Sequence, residues 1–201
     1  MEKAQAARRA PIPSSEVFLS MTIHIGLLRA VNLPGHNKIG MADLRELLAA
    51  LGMQDVRSLL QSGNLVFRSG IHTAMQLERV LEQAAAQRLG LETDFFVRTA
   101  SDWNAVVAGN PFPQEAERDP SRLLVVFLKE APSRKDVTAL QGAIKGPEVV
   151  RAKGRHAYIV YPHGVGRSRL TTALIERKLA TRGTGRNWNT VLKLGALAGG
   201  S

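Results

Sequence analysis

Between Thr22 and Thr99 the apolar residues alternate between strand-like and helix-like spacing, and the order of that alternation admits few folds. Residues 22–30, TIHIGLLRA, read as a strand. In MADLRELLAALG, Leu44, Leu47, Leu48 and Leu51 recur at i, i+3, i+4 and i+7, the spacing of one helix face, and Gly52 stops the helix. VRSLLQSGNLVFRS sets two apolar runs around Ser62-Gly63-Asn64, residues that accept positive φ cheaply, which predicts a β-hairpin. Thr73 and Gln76 stand at capping-box spacing, and Leu77, Val80, Leu81 and Ala84 line a second helix that ends at Gly90. TDFFVRT supplies a fourth strand. The result is β-α-β-β-α-β, the split βαβ or ferredoxin-like order.

That order has a geometric consequence. A right-handed β-α-β crossover makes the first two strands parallel, so both end at one edge of the sheet. The loop of residues 31–39 and the turn of residues 61–64 are then expected together, gathering Arg29, Asn32, Asn37, Lys38, Ser62 and Asn64 into one polar corner.

The rest of the chain nearly repeats the pattern. Ser101 is the expected cap of a short helix holding Trp103, Val106 and Val107, which GNPFP terminates, and QEAERDP reads as an acidic loop. RLLVVFLK, residues 122–129, is apolar almost throughout, as a central strand is. Ser133 and Asp136 form another capping box, opening a helix with Val137 and Leu140. EVVRAKGRHAYIVY predicts a hairpin turning at Lys153-Gly154, and Leu170, Leu174 and Ile175 lead a further helix. This half reads β-α-β-β-α, so two related α+β halves are expected, over residues 21–99 and 100–198. A loose Ala-, Arg- and Pro-rich extension, residues 1–20, precedes them.

Composition narrows the chemistry. With 201 residues and 44% hydrophobic content the chain can bury a substantial core. No apolar run approaches the ~20 residues of a membrane-spanning helix, and the first twenty residues lack the apolar centre of a secretory signal, so a cytoplasmic protein without a membrane partner is expected. The absence of Cys excludes disulfides, thiolate nucleophiles and Cys-ligated metals. The five His show no ligand spacing, so neither a metal nor a cofactor is expected. The net charge of +10 is localised: residues 151–201 carry ten basic side chains and one acidic one, whereas residues 21–150 are balanced. A neutral body with a basic end suits either an anionic partner or a solvated cationic face.

Three segments are candidates for binding, and each has a purely structural reading. PHGVGRSRLT is Gly-rich and runs toward a helix, so it resembles an anion-binding loop with Arg167 and Ser168, although it lacks the full G-x-x-x-x-G-K-[ST] pattern. Alternatively its glycines make a turn and Ser168 is an ordinary N-cap. In GRNWNTVLK, Trp188 offers a stacking surface beside Arg186, Asn187 and Asn189, or Asn187 caps a last helix that Trp188 anchors in the core. The Ser62-Gly63-Asn64 turn and the long loop with Asn32 and Lys38 serve a ligand or merely connect strands. Catalytic signatures are thin, with no G-x-S-x-G, no H-E-x-x-H and no prominent carboxylate pair.

IGLLRAVNLPGHNKIGMADLRELLAALGMQDVRSLLQSGNLVF, NPFP, YPHGVGRSRLT and RNWNTVLKL together resemble the bacterial family catalogued as domain of unknown function 1697, in register from about Thr22 to Leu197. The resemblance implies an α+β fold of two ferredoxin-like (β-α-β-β-α-β) subdomains with mainly antiparallel sheets, the second followed by C-terminal helices. It implies no reaction. Its motif positions are Arg29, Asn32, Lys38, Ser62, Gly63 and Asn64, then Gly166, Arg167, Ser168, Arg186, Asn187, Trp188 and Asn189. Ala30, Leu33 and Pro34 depart from the usual R-G-I-N-V-G-G, and Arg169 replaces a frequent Lys. The leading expectation is a protein that binds a phosphorylated small molecule, nucleotide or nucleic acid through Arg29, Asn32, Lys38, Ser62, Asn64, Arg167, Ser168, Arg186, Asn187, Trp188 and Asn189. The alternatives are an enzyme on a nucleotide-like substrate and a structural or oligomeric interaction protein.

Overall fold

The computed structural model describes residues 21–29, 39–70 and 73–199, so the expected N-terminal extension, Asn32, Asn37 and Lys38 lie outside the described residues. One antiparallel sheet is built from β1 (Thr22–Leu28), β2 (Gln54–Leu59), β3 (Asn64–Ser69) and β4 (Phe95–Thr99) in the order β2-β3-β1-β4. Helices α1 (Met41–Ala50) and α2 (Ala74–Leu89) cover one face. The second antiparallel sheet takes β5 (Leu123–Leu128), β6 (Val149–Lys153), β7 (His156–Val160) and β8 (Gly183–Asn187) in the order β6-β7-β5-β8, with α5 (Arg134–Ala143) and α6 (Thr172–Leu179) on its outer face. Strand for strand the two orders are equivalent. The fold is α+β, with two β-α-β-β-α-β halves.

Local chemistry accounts for most element boundaries. The Thr73–Gln76 and Ser133–Asp136 capping boxes both form, satisfying the orphan N–H groups at the starts of α2 and α5. Gly90 ends α2 in the left-handed region at φ 61°, and Gly154 turns the β6–β7 hairpin at φ 55°. The central strand β5 alternates between two cores: Val125 and Phe127 face inward, Val126 and Leu128 face α5 and α6.

Between the sheets lies a shared core. α3 (Ala100–Ala108) and α7 (Trp188–Gly199) bring Trp103, Val106, Trp188, Val191 and Leu194 against Ile25, Leu27 and Phe96 of one sheet and Val125, Phe127 and Tyr158 of the other. Trp103 stacks on Phe127 at 4.6 Å and its indole N–H donates to the Val191 carbonyl at 3.0 Å. The halves are thus cemented by apolar contact as well as by polar bonds.

Four expectations need correction. The cap of α3 is Thr99, not Ser101, because Thr99 and Asp102 satisfy both orphan N–H groups in a capping box and Ser101 falls inside the first turn. The acidic segment after Phe112 is helical as α4 (Pro113–Arg118), started by a proline whose missing N–H costs nothing there. Ser168 does not cap a helix: it follows a single 3-10 turn, Val165–Arg167, and the cap of α6 is Thr171. The segment before Trp188 is β8, a strand disguised by glycines, and one C-terminal helix follows it. A Cβ on Gly183 would lie 2.9 Å from Val126 Cγ1 and one on Gly185 3.0 Å from Leu124 Cδ2, so β5 side chains fill the space that β8 leaves.

Candidate functional site

The edge of the first sheet gathers part of the expected corner. The backbone N–H of Leu28 donates to the Gly63 carbonyl at 2.8 Å, which brings the end of β1 against the β2–β3 turn. Asn64 is 0% exposed and spends its amide group fully: Nδ2 donates to the Leu59 carbonyl at 3.0 Å and to Ser62 Oγ at 2.9 Å. Its Oδ1 accepts from Arg186 Nε on β8 of the other half.

Arg186 is the centre of this corner. Its Nη2 donates to the Leu28 carbonyl at 2.9 Å and the Ser62 carbonyl at 3.1 Å, and its Nη1 to Thr184 Oγ1 and the Gly185 carbonyl, both at 2.8 Å. No carboxylate is among these partners, and burial lowers the guanidinium pKa to about 10. The side chain is a tether between halves whose donors are already occupied. Arg29 is likewise committed, in a bidentate pair with Glu176 of α6 at 3.0 and 2.8 Å. Glu176 is the single acid in the basic last quarter of the sequence, and it also accepts the Gly183 N–H at 2.9 Å.

The C-terminal motif divides by residue. Asn187 caps α7, its Oδ1 accepting the Thr190 N–H at 2.9 Å. Trp188 is 5% exposed within the shared core, which leaves no ring face for a stacked base. Asn189 is exposed.

Arg167 and Ser168 lie elsewhere. The loop of residues 163–170 and the segment leaving α5 enclose a cleft of about 310 Å³, lined by Lys145, Glu148, His163, Arg167, Ser168 and Arg169 above an apolar floor of Ile144, Leu170 and Leu174. Leu170 belongs to the outer core with Leu174 packed against it, whereas Arg186 crosses from the inner face of the same sheet to the first half. A β-sheet therefore separates the two groups, and the Gly-rich loop and the Trp188 segment do not form one site.

Within the cleft, Ser168 Oγ accepts the Leu170 N–H at 2.9 Å and donates to the Glu148 carboxylate. Lys145, Arg167 and Arg169 are in no ion pair among the described residues, and Arg167 and Arg169 are exposed. No group of acidic and His side chains among the described residues is suited to hold a metal.

A family model described as "Protein of unknown function (DUF1697)" matches residues 21–158. The chain belongs to the DUF1697 family. A solved structure, the conserved bacterial protein SP0830 from Streptococcus pneumoniae, is similar at a TM-score of 0.71 and 27% identity, over 89% of this chain and 99% of that one. No curated protein matches. In this DUF1697 chain the motif residues Arg29, Ser62, Asn64 and Arg186 converge on the joint between halves, and Arg167 and Ser168 on the cleft.

Sequence reasoning did not single out Lys145 or Glu148, which reach the cleft from a segment without a motif, and it passed over His163 inside PHGVGRSRLT. For Glu176 a signal existed, since a lone carboxylate among ten cations has an evident counterion role.

Proposed function

We propose that the protein binds a phosphorylated small molecule in the cleft between the end of α5 and the loop of residues 163–170. The observation that carries this reading is the convergence of Lys145, Arg167 and Arg169, none of them ion-paired, on one concave surface beside a hydroxyl and an apolar floor. Guanidinium forks match phosphate oxygens bidentately, and a cleft of about 310 Å³ falls in the size range of sites for small ligands. Phosphorylated metabolites and nucleotides suit a cytoplasmic setting and a Cys-free chain. A nucleic acid is the less favoured ligand, because Arg155, Arg182 and Arg186, three cations of the basic quarter, already engage partners on the first half.

A second, structural role is favoured for part of the motif set. Arg29, Ser62, Asn64, Arg186 and Trp188 all make contacts that join the halves, which supports reading them as fold determinants.

Calorimetric titration with inorganic phosphate, AMP and GMP at low salt tests the proposal. Saturable binding is expected, weakened about tenfold by Arg167→Ala and by Arg169→Ala, since a hydrogen bond to a charged group contributes roughly 1.5–3 kcal/mol. If none of these compounds binds, or if the two variants bind like the wild type, the cleft is not the site. A tighter complex with an oligonucleotide that weakens steeply with salt would transfer the reading to nucleic acid.

A further inference from the structure

The cleft is not uniformly cationic. Glu148 lines it together with Lys145, Arg167 and Arg169, and among the described residues its carboxylate is in no ion pair. Its hydrogen-bond partner is the Ser168 hydroxyl. One such bond leaves most of the acceptor capacity of a carboxylate unused, since two oxygens offer about four lone-pair positions.

Three further observations fix where that acceptor sits. A Cβ on Gly146 would stand 2.3 Å from Glu148 Oε2, so the carboxylate folds back over a position kept bare of side chain. Tyr161, 2% exposed, has its hydroxyl ionisation suppressed first by burial and then by the Glu148 charge, so the carboxylate acts on the buried hydroxyl beneath Leu170. The Tyr161 hydroxyl donates to the Leu170 carbonyl at 3.2 Å and is not spent on Glu148. On the same wall α5 ends at Ala143, and the last carbonyls of a helix carry partial negative charge. On the α5 side the cleft offers the Glu148 carboxylate and the helix-end carbonyls as acceptors beside the Lys145 ammonium, and on the loop side Arg167 and Arg169 offer donors.

Resting on the phosphate-binding reading above, we infer that the ligand is bipolar: a phosphate meets Arg167 and Arg169 while an ammonium or amino N–H group meets Glu148. A ligand with a phosphate alone brings its charge up to an unpaired carboxylate and strips water from it without replacing the lost bonds. A ligand with a donor arm satisfies both walls at once. The class is therefore phosphorylated amines and nucleotides whose base carries an exocyclic amino group.

Phosphoethanolamine and ethyl phosphate, similar in size and differing in the ammonium group, separate the two cases by calorimetry on the full chain. The wild type is expected to bind phosphoethanolamine about tenfold more tightly, the effect of one charged hydrogen bond. In Glu148→Gln that preference should collapse toward unity while ethyl phosphate binds as well as before or better, because a like charge has gone. Gly146→Ala, which displaces the carboxylate without deleting it, should reduce the preference in the same direction. Equal binding of the two compounds to the wild type, or a preference that survives in Glu148→Gln, would overturn the bipolar assignment and leave phosphate binding standing. Binding of neither compound would overturn both.

Discussion

Replacing Arg186 tests whether the basic residue two positions before Trp188 holds the halves together. In Arg186→Ala three close acceptors of the first half lose a donor, Asn64 Oδ1, the Leu28 carbonyl and the Ser62 carbonyl, besides the Gly63 carbonyl at a long 3.5 Å. At about 1 kcal/mol net for each bond the direct loss is roughly 3 kcal/mol. Asn64, 0% exposed, cannot turn its freed oxygen to water, which adds to the loss, and release of a guanidinium from burial works against it. Taking these opposing effects as comparable keeps the estimate at about 3 kcal/mol, or roughly 6–12 °C in melting temperature for a chain of this size. Arg186→Lys retains the charge but has a single nitrogen, so it cannot reach Asn64 and the Leu28 carbonyl together, and less than half the loss should be recovered. Urea and thermal unfolding followed by circular dichroism measure both variants. A loss under about 1 kcal/mol in Arg186→Ala, or a Lys variant as stable as the wild type, would refute the tether.

Two other perturbations probe the same joint and the cores beside it. Glu176→Ala should cost more than Arg29→Ala, because Glu176 accepts both the half-exposed guanidinium and the Gly183 N–H whereas Arg29 loses only a solvent-screened pair worth about 1 kcal/mol; equal urea midpoints for the two variants would contradict this. Acidification should destabilise the fold through two histidines: burial, reinforced by Arg98 and Lys153, lowers His156 from 6.5 to about 4, and burial also lowers His24, outweighing the backbone of Ser69 and the Asp102 charge that favour its protonated form. The unfolded chain therefore binds more protons than the folded one between about pH 4 and 6.5, and stability falls as pH drops through that window. Urea midpoints that stay constant from about pH 7.5 to about pH 5 would show that these rings are not held neutral, and His24→Phe should flatten the slope.

What the sequence made legible was what is decided within a few residues. The capping boxes at Thr73 and Ser133 formed as spaced, and so did the turns at Gly63 and Gly154, because a cap or turn depends only on its own neighbours. Thr99 and Ser101 both had the chemistry of a cap, and the end of β4 decided between them. β8 was obscured because Gly183 and Gly185 look like a turn until the Leu124 and Val126 side chains that exclude a Cβ are in place. Arg186 was read as a ligand contact for a related reason. Its acceptors lie more than 120 residues away in sequence, and no local pattern reports that a guanidinium will be spent on them.

The same distinction revises how the positive charge bears on function. Glu78 of α2, 4% exposed, accepts from Arg98 at 3.2 Å, from Lys129 at 3.2 Å and lies 3.6 Å from Arg155, and Asp94 pairs with Arg182 at 2.8 Å. Three cations of the second half, Lys129, Arg155 and Arg182, are thus the counterparts of carboxylates on the first half. Net charge per segment overstates what a ligand meets. Among the cations left without a carboxylate partner, Arg167, Arg169 and Lys145 stand around one cleft. A charge reversal at Arg182 should therefore act on stability and leave phosphate affinity alone, whereas one at Arg167 should do the opposite, because the first would face the buried Asp94 carboxylate and the second awaits a partner from outside the protein.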